Sequence, residues 1–380
     1  MPFNLSVVVA SARKKEGLED LGDLVFEEPL GVLLDSYASA PLNDLGSRIL
    51  RGGVVHSLRM RLRLVEWVRL HPEIADEQIV APVVVVGMMR SGTTLVQRLL
   101  AADPALQCAY GWEVREVAPP LDIDWSLADP RISTGLAQEE QARTWMPDLF
   151  AIHPMHALEA EEEIVFLADA FLSHVPESGA QVPVYRSWLD SQDFTPAYKH
   201  LHLVLQFLQW QKRKRGKTAT RWVLKTPAHL GYLDTLRAQF PDLHLVHLHR
   251  DPRETIPSGA SLNATLHAMH SDVVDPVLLG SQWIERMGWA NDRALVSRAT
   301  WGPATDLEFR DVVADPAGQI SRVYDGMGLP FEAEPQMRHW LATRPHELGA
   351  RPAYDAETFG LSDAQIDDRF AAYNERFRTA

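Results

Sequence analysis

The sequence is poor in cysteine and in long apolar runs. Cys108 is the one cysteine among 380 residues, which excludes an intramolecular disulfide framework and a cysteine-ligated metal cluster. We expect this side chain to be buried and the protein to be cytoplasmic. No stretch approaches the ~20 apolar residues of a membrane span, and the first residues lack the basic and then apolar pattern of a signal peptide. We therefore expect a soluble protein with no membrane span.

An excess of positive charge is also absent. The formal net charge is -14, which argues against nucleic acid as a partner, because proteins that neutralise phosphates carry a basic face. Lys212–Lys217 is a local exception, a basic run interrupted by one glycine. It follows a helical apolar pattern, and we interpret it as the solvated end of a helix.

What the chain does have is apolar residues at 46%, with 11 tryptophans, enough for a large core. We predict one domain over residues 1–380. It has a helical segment at 1–80, an α/β core at 81–330 with helical insertions at about 120–215, and a helical segment at 331–380.

Short apolar runs alternate with helical patterns in the predicted core. Val83–Val86 is a β-branched run, too short for a helix, that predicts a buried strand. Strands are also predicted at Arg221–Lys225, at Leu243–His249 and, with less periodicity to support it, at Asp306–Phe309. Strands that alternate with helices predict a parallel sheet covered on both faces. The predicted helices in this region cover about 159–172, 197–213, 229–240 and 315–328.

A polar loop with two glycines joins the first predicted strand to a helix. Gly87 and Gly92 have the spacing of the loop that binds nucleotide triphosphates, but Thr93 stands where that loop has its lysine. The positive charge lies instead at Arg90, inside the loop. Backbone N–H groups at such a helix start bind phosphate, and without the lysine the loop suits a 5′-phosphosulfate better than a triphosphate.

A second anion site is predicted where the third strand meets its helix. Arg250 ends the strand and Ser258 lies about two turns into the following helix. Open parallel sheets bind ligands beyond the carboxyl ends of their strands, so both loops should open at one edge of the sheet.

These segments resemble the sulfotransferase family that uses 3′-phosphoadenosine 5′-phosphosulfate (PAPS), in particular its bacterial branch and the related tyrosylprotein sulfotransferases. Val86–Leu95 resembles the 5′-phosphosulfate loop, and Leu248–Ser258 resembles the 3′-phosphate site. The resemblance implies a P-loop-type, three-layer α/β domain with about five parallel strands. It also implies that Arg90, Ser91, Gly92, Thr93, Thr94, Arg250 and Ser258 bind PAPS and its product, 3′-phosphoadenosine 5′-phosphate (PAP).

The resemblance further implies catalytic roles that need no metal. Arg90 and Lys225 would stabilise the leaving phosphate in an in-line transfer, and Glu113 would be the general base, with His229 as the second candidate. The family's Tyr-Glu-Asp-Leu is replaced here by Phe309–Val312, and the Arg-Lys-Gly motif of the animal cytosolic branch is absent. What completes the 3′-phosphate site therefore stays open.

Other functions remain open at this point. A P-loop kinase or nucleotide hydrolase, or a nucleotide-binding protein without activity, would use the same loop. The acceptor is expected to be a small molecule or lipid with a hydroxyl group, and a homo-oligomer remains open. Four large apolar side chains are candidates to line an acceptor cleft: Trp125, Trp145, Met146 and Phe150.

Overall fold

The computed structural model describes residues 3–344 and 354–378. Five strands form one sheet, namely β1 (Val83–Val86), β2 (Leu106–Gln107), β3 (Arg221–Lys225), β4 (His244–His249) and β5 (Thr305–Glu308). All neighbouring strands are parallel, in the order β2-β3-β1-β4-β5. The predicted parallel sheet of about five strands is confirmed.

The first half of the chain, to residue 218, is largely helical. Its α-helices are α1 (Leu5–Glu16), α2 (Glu27–Ser39), α3 (Asp44–Leu70), α4 (Thr93–Ala101), α5 (Gly111–Arg115), α6 (Pro130–Trp145), α7 (Pro147–Ile152), α8 (Ile164–Ala168), α9 (Pro183–Leu189) and α10 (Thr195–Lys214).

The second half of the chain carries the remaining described α-helices. They are α11 (Leu233–Gln239), α12 (Pro252–His270), α13 (Pro276–Ala299), α14 (Phe309–Ala314), α15 (Pro316–Met327), α16 (Glu334–Thr343), α17 (Asp363–Arg369) and α18 (Ala371–Phe377). A 3-10 helix at Pro227–Tyr232 precedes α11.

The residues group into two compact units. One consists of 1–78, 109–218 and 263–274, and the other of 79–108, 219–262 and 275–380. All five strands fall in the second, the sheet unit, and the first is the helical unit. The single domain over 1–380 stays a prediction.

The sheet unit buries both faces of β1. All four valines of β1 are fully buried, as a central parallel strand requires, because helices cover both sides of such a sheet. The core around them is built from apolar side chains of the helix after β1, of neighbouring strands and of three later helices, among them Leu95, Leu99, Val223, Leu248, Leu307, Val312, Ile320 and Met337. This packing fixes the loop that leaves β1.

In the helical unit, charged residues of α3 are buried with partners. Arg63 is only 8% exposed, and it donates to Glu16 at 2.5 Å and to Glu116 at 2.7 Å. Arg59 also binds Glu16. The arginines that a helical pattern places on a polar face of α3 thus tie α1 to it. Among the described residues, no helix is both long enough and apolar enough to cross a membrane.

Two sequence predictions about helices were wrong in extent. Only Ile164–Ala168 of the predicted helix at 159–172 is α-helical. The chain before it is extended, because Tyr110 and Ala160 form an antiparallel bridge, and Phe171 behind it has a left-handed backbone, with φ 58°. The predicted helix at 229–240 is divided between the 3-10 helix and α11.

The basic run at the end of α10 is also different from its prediction. Lys212 is 9% exposed, and its ammonium group lies 2.7 Å from both oxygens of Glu113. Arg213 and Lys214 are exposed, as predicted. The first lysine of the run is therefore a buried ion-pair partner, and Arg215 is half-buried and bound to Asp129 at 3.1 Å.

Candidate active site

The loop between β1 and α4 is held in one shape by its own backbone and by Ser91. The Ser91 amide and hydroxyl both donate to the Met88 carbonyl, at 3.0 and 2.7 Å. Arg90 has a left-handed backbone, with φ 73°, a conformation that costs a non-glycine residue free energy and that clusters at functional sites. Because the Ser91 side chain is fully buried, its hydroxyl serves the loop.

Gly92 ends this loop, and no larger residue fits there. Its φ is 99°, and a Cβ atom added to it would lie 2.3 Å from the Phe309 ring. The aromatic residue that follows β5 therefore packs directly against the start of α4. The first N–H groups of a helix lack acceptors within the helix, so the start of α4 offers donors to an anion, as the sequence predicts for Thr93 and Thr94.

A lysine reaches the same loop from the neighbouring strand. Lys225 is the last residue of β3 and is fully buried, and its ammonium group donates to the Thr94 hydroxyl at 3.0 Å. The register of the sheet, in which Lys225 lies beside Val85, brings this about. A lysine ammonium group from an adjacent strand therefore lies at the start of α4, although the loop sequence itself has no lysine. This lysine was predicted as a catalytic residue, but its contact with Thr94 was not.

The two predicted anion loops are joined by hydrogen bonds. Arg90 donates from Nε to the Ser258 hydroxyl at 3.1 Å, and Arg250 donates to the Arg90 carbonyl at 3.1 Å. Residues that the sequence separates by about 160 positions therefore meet at the carboxyl edge of the sheet, where β1 and β4 both end. This is the edge at which open parallel sheets bind ligands.

Two residues that sequence reasoning did not assign complete this arrangement. Glu254 binds Arg250 at 2.7 Å and Arg310 at 3.0 Å. Partial burial opposes the charge of Glu254, but the two guanidinium groups outweigh it and hold the pKa of this carboxyl below its usual value. Arg250 lies just before α12 and Glu254 lies in its first turn, and this four-residue spacing was a usable signal in the sequence.

The two candidate bases are both buried. His229 is fully buried in the 3-10 helix, whose first residue is preceded by Thr226 as a cap. Glu113 belongs to the helical unit and is 3% exposed. Besides its ion pair with Lys212, its carboxylate accepts the Tyr110 amide at 2.9 Å. These contacts show that Glu113 holds the start of α5 in place.

The candidate acceptor-lining residues have different environments. Trp125 packs edge-on against Trp210 and Trp67 in the helical unit, and Phe150 is buried. Trp145, in contrast, is 73% exposed. Phe150 is therefore part of the core, Trp125 and Met146 are half-buried, and Trp145 is the member of the set that faces solvent.

A cluster of potential metal ligands lies where β4 pairs with β5. His247, His249 and Asp306 bring ligand atoms within 4.8 Å of one another. Arg298 binds both oxygens of Asp306, at 2.9 and 2.8 Å, and lies 3.1 Å from His247 Nδ1. Burial, and then the charges of His249 and Arg298, hold the pKa of His247 well below its usual value. The Arg298 guanidinium group therefore supplies a positive charge to this cluster.

Comparison with known proteins agrees with this architecture. The model of the sulfotransferase family matches residues 82–333. The mycobacterial protein named omega-hydroxy-beta-dihydromenaquinone-9 sulfotransferase Stf3, from Mycobacterium bovis and from Mycobacterium tuberculosis, is 27% identical over 280 residues. The match covers 69% of this chain and 66% of Stf3, so the chain spans just under two thirds of the length of these relatives.

Two solved structures are similar over nearly the whole chain. Sulfotransferase STF1 from Mycobacterium tuberculosis H37Rv has a TM-score of 0.85 and 31% identity, over 97% of this chain and 98% of its own. Sulfotransferase STF9 from Mycobacterium avium has a TM-score of 0.89 and 25% identity, over 99% and 97%. Together with the loops described above, these matches show that the chain belongs to the sulfotransferase family.

Proposed function

We propose that the protein transfers a sulfuryl group from PAPS to a hydroxyl group of an apolar acceptor. The observation that carries the donor assignment is the meeting of Arg90, Lys225 and Arg250 around the start of α4. A donor with a 5′-phosphosulfate and a 3′-phosphate requires two cationic subsites. The proposal is supported by cationic side chains at the ends of β1, β3 and β4, on one edge of the sheet. Guanidinium groups bind such anions with paired, charge-assisted hydrogen bonds.

The chemistry assigned to these residues is charge stabilisation. The acceptor oxygen attacks sulfur while the bond from sulfur to the 5′-phosphate oxygen breaks, and the acceptor proton passes to a general base. The product PAP leaves with the negative charge on that phosphate oxygen. Lys225, Arg90 and the first N–H groups of α4 are the groups we assign to stabilise this charge, as preorganised donors do in related transfer reactions.

A binding experiment separates this donor from nucleotide triphosphates. We expect calorimetric titration to give tight binding of PAP and weak binding of ATP with Mg²⁺, because the loop carries no lysine of its own and β4 ends in His249 and Arg250 instead of a carboxylate that would hold the metal. Tight ATP binding without PAP binding would instead favour the kinase or hydrolase alternative.

For the general base we propose Glu113, with His229 as the alternative. The test must separate chemistry from the ion pair with Lys212, because removal of one partner leaves a buried charge without compensation. We expect Glu113→Gln to lower kcat about 100-fold and to leave PAP affinity nearly unchanged. The double variant Glu113→Gln with Lys212→Met removes both charges.

The double variant decides between the two roles. If Glu113 is the base, the double variant regains thermal stability but stays about as slow as the single variant. Recovery of wild-type turnover in the double variant would show that Glu113 only holds α5. In that case His229→Gln becomes the variant expected to lose turnover.

The acceptor class is proposed from the relatives. The name of Stf3 gives omega-hydroxy-beta-dihydromenaquinone-9 as its acceptor. We propose that the acceptor of this chain is a hydroxylated lipid or another apolar small molecule. Incubation of the protein and labelled PAPS with lipid and polar fractions of a cell extract tests this. The lipid fraction should yield a product heavier by one sulfuryl group, and a product found only in the polar fraction would contradict the proposal.

A further inference from the structure

Arg310 lies next to the proposed 3′-phosphate site because of the sheet register. His249 of β4 is paired with Glu308 of β5, so the residues that follow these two strands leave the sheet side by side. Arg250 follows one strand, and Phe309 and Arg310 follow the other. The Arg250 guanidinium lies over the Phe309 ring, 4.4 Å from its centre, which fixes its plane and direction.

A single carboxylate joins the two arginines. One oxygen of Glu254 is 2.7 Å from Arg250, and the other is 3.0 Å from Arg310. Two guanidinium groups thus converge on one anionic group at the proposed phosphate position. A phosphate presents oxygens in a comparable arrangement and carries more charge than a carboxylate, so it can accept from both groups.

The other acidic groups around Arg310 do not compete strongly for it. Asp251 and Glu308 both act on its charge, but each is also engaged by Arg378, at 3.5 and 3.4 Å. Glu254 is the carboxylate that binds Arg310 directly.

We propose that Arg310 is the second guanidinium of the 3′-phosphate subsite, and that the 3′-phosphate displaces Glu254 from Arg250 and Arg310. This inference rests on the proposed use of PAPS and names the residue that takes part where the family has a glutamate. Glu254 then has two effects. It holds both arginines in place, and it competes with the nucleotide, which weakens binding and favours product release.

The test compares PAP with 5′-AMP, which lacks the 3′-phosphate, by calorimetric titration. We expect Arg310→Ala to weaken PAP binding about tenfold and to leave 5′-AMP binding within twofold. Glu254→Gln should strengthen PAP binding several-fold, with little effect on 5′-AMP. Arg310 is 75% exposed, so its replacement leaves the core intact, and Arg310→Lys should restore part of the affinity.

A matched control is Arg338→Ala. Arg338 is also an exposed arginine paired with a glutamate, Glu334, in the same unit, and its loss should leave both affinities unchanged. An ordinary surface ion pair contributes little, so an unchanged ratio of PAP to 5′-AMP affinity in Arg310→Ala would overturn the proposal. So would a loss of PAP affinity in Glu254→Gln as large as in Arg250→Ala, because Glu254 would then only position Arg250.

The outcome for the wild-type protein separates this inference from the proposed function. If the wild type binds PAP no better than 5′-AMP, the PAPS assignment itself fails. If it prefers PAP and Arg310→Ala has the same preference, the assignment of the donor stands and only the role of Arg310 is wrong.

Discussion

At the scale of single residues, Lys225 brings a buried positive charge to the candidate site. It is fully buried, yet its ammonium group contacts Thr94 at the mouth of the loop. A buried ammonium group is costly unless it has polar partners, and the Thr94 hydroxyl is one of them. Its burial and its position beside the start of α4 are the reasons why the proposed function gives it a role in the transfer.

We expect Lys225→Met to reduce kcat about 100-fold, in the range found when one preorganised donor to a developing charge is removed. The affinity for PAP should fall much less, because the 3′-phosphate contacts remain. Steady-state kinetics with labelled PAPS and calorimetric titration of PAP measure the two effects. Lys199→Met, at an exposed lysine, is the control. Equal losses in kcat and in PAP affinity would indicate that Lys225 only binds the nucleotide.

At the scale of elements, the strand-loop-helix unit around β1 could be predicted from its sequence because its signals are local. Four adjacent valines, two glycines and a helical apolar pattern follow one another without a break. The two-residue strand β2 was not predicted, because its pairing with β3 is long-range and its sequence has no alternation. The helix α13 was not predicted either, and its sequence has apolar and polar residues on most sides.

The helix α18 contacts the end of β4 through the hydroxyl group of Tyr373. Tyr373 donates to His249 Nδ1 or accepts from it at 3.2 Å, and it also bonds the backbone of Arg250. The neighbouring Phe377 ring stacks on His249, with 4.4 Å between the ring centres. The C-terminal helix therefore supports the end of β4 from outside the sheet.

We expect Tyr373→Phe to lower the free energy of unfolding by about 1 kcal/mol, the value of one buried hydrogen bond, and to weaken PAP binding a few-fold. Urea unfolding and calorimetry measure these effects. Tyr324→Phe is a matched control, because its hydroxyl is bound to Asp103 at 2.5 Å and not to the end of β4. It should lower stability and leave PAP affinity unchanged. Equal PAP affinity in both variants would show that the contact of α18 with the end of β4 does not affect PAP binding.

At the scale of the whole molecule, the helical unit contains a buried acid that should make stability depend on pH. Asp169 is 6% exposed. Burial raises the pKa of its carboxyl to about 6, although a hydrogen bond from Ser57 and the charges of His56 and Arg61 oppose this. The folded protein therefore holds a proton on Asp169 in a pH range where the unfolded chain has released it.

Because the folded pKa is the higher one, the stabilising effect is complete below about pH 4 and is lost as the pH rises through about 6. Asp169→Asn removes this titration. We expect the wild type to lose on the order of 2 kcal/mol relative to the variant between pH 4 and pH 7. Chemical unfolding of both proteins across that range measures the difference, and parallel curves would show that Asp169 keeps its charge throughout.

The residues of the candidate site could be predicted from the sequence more fully than the contacts between them. Arg90, Lys225, Arg250 and Ser258 lie in one unit and three of them are joined by hydrogen bonds. The contacts of Glu254 with Arg310 and of Lys212 with Glu113 were not predicted. The first pair is 56 positions apart in the sequence and the second is 99. Such pairings depend on packing and leave no pattern in a single sequence.

The position of Lys225 on β3 has a consequence for how the protein matures. In the proposed function, nucleotide recognition is distributed over the start of α4 and the end of β3, which are more than 130 residues apart in the sequence. A nascent chain cannot bind the donor at both places until both have been synthesised and aligned. PAP would then select for the finished sheet during refolding and shield it from proteolysis, whereas a fragment that ends before β3 would gain no such protection.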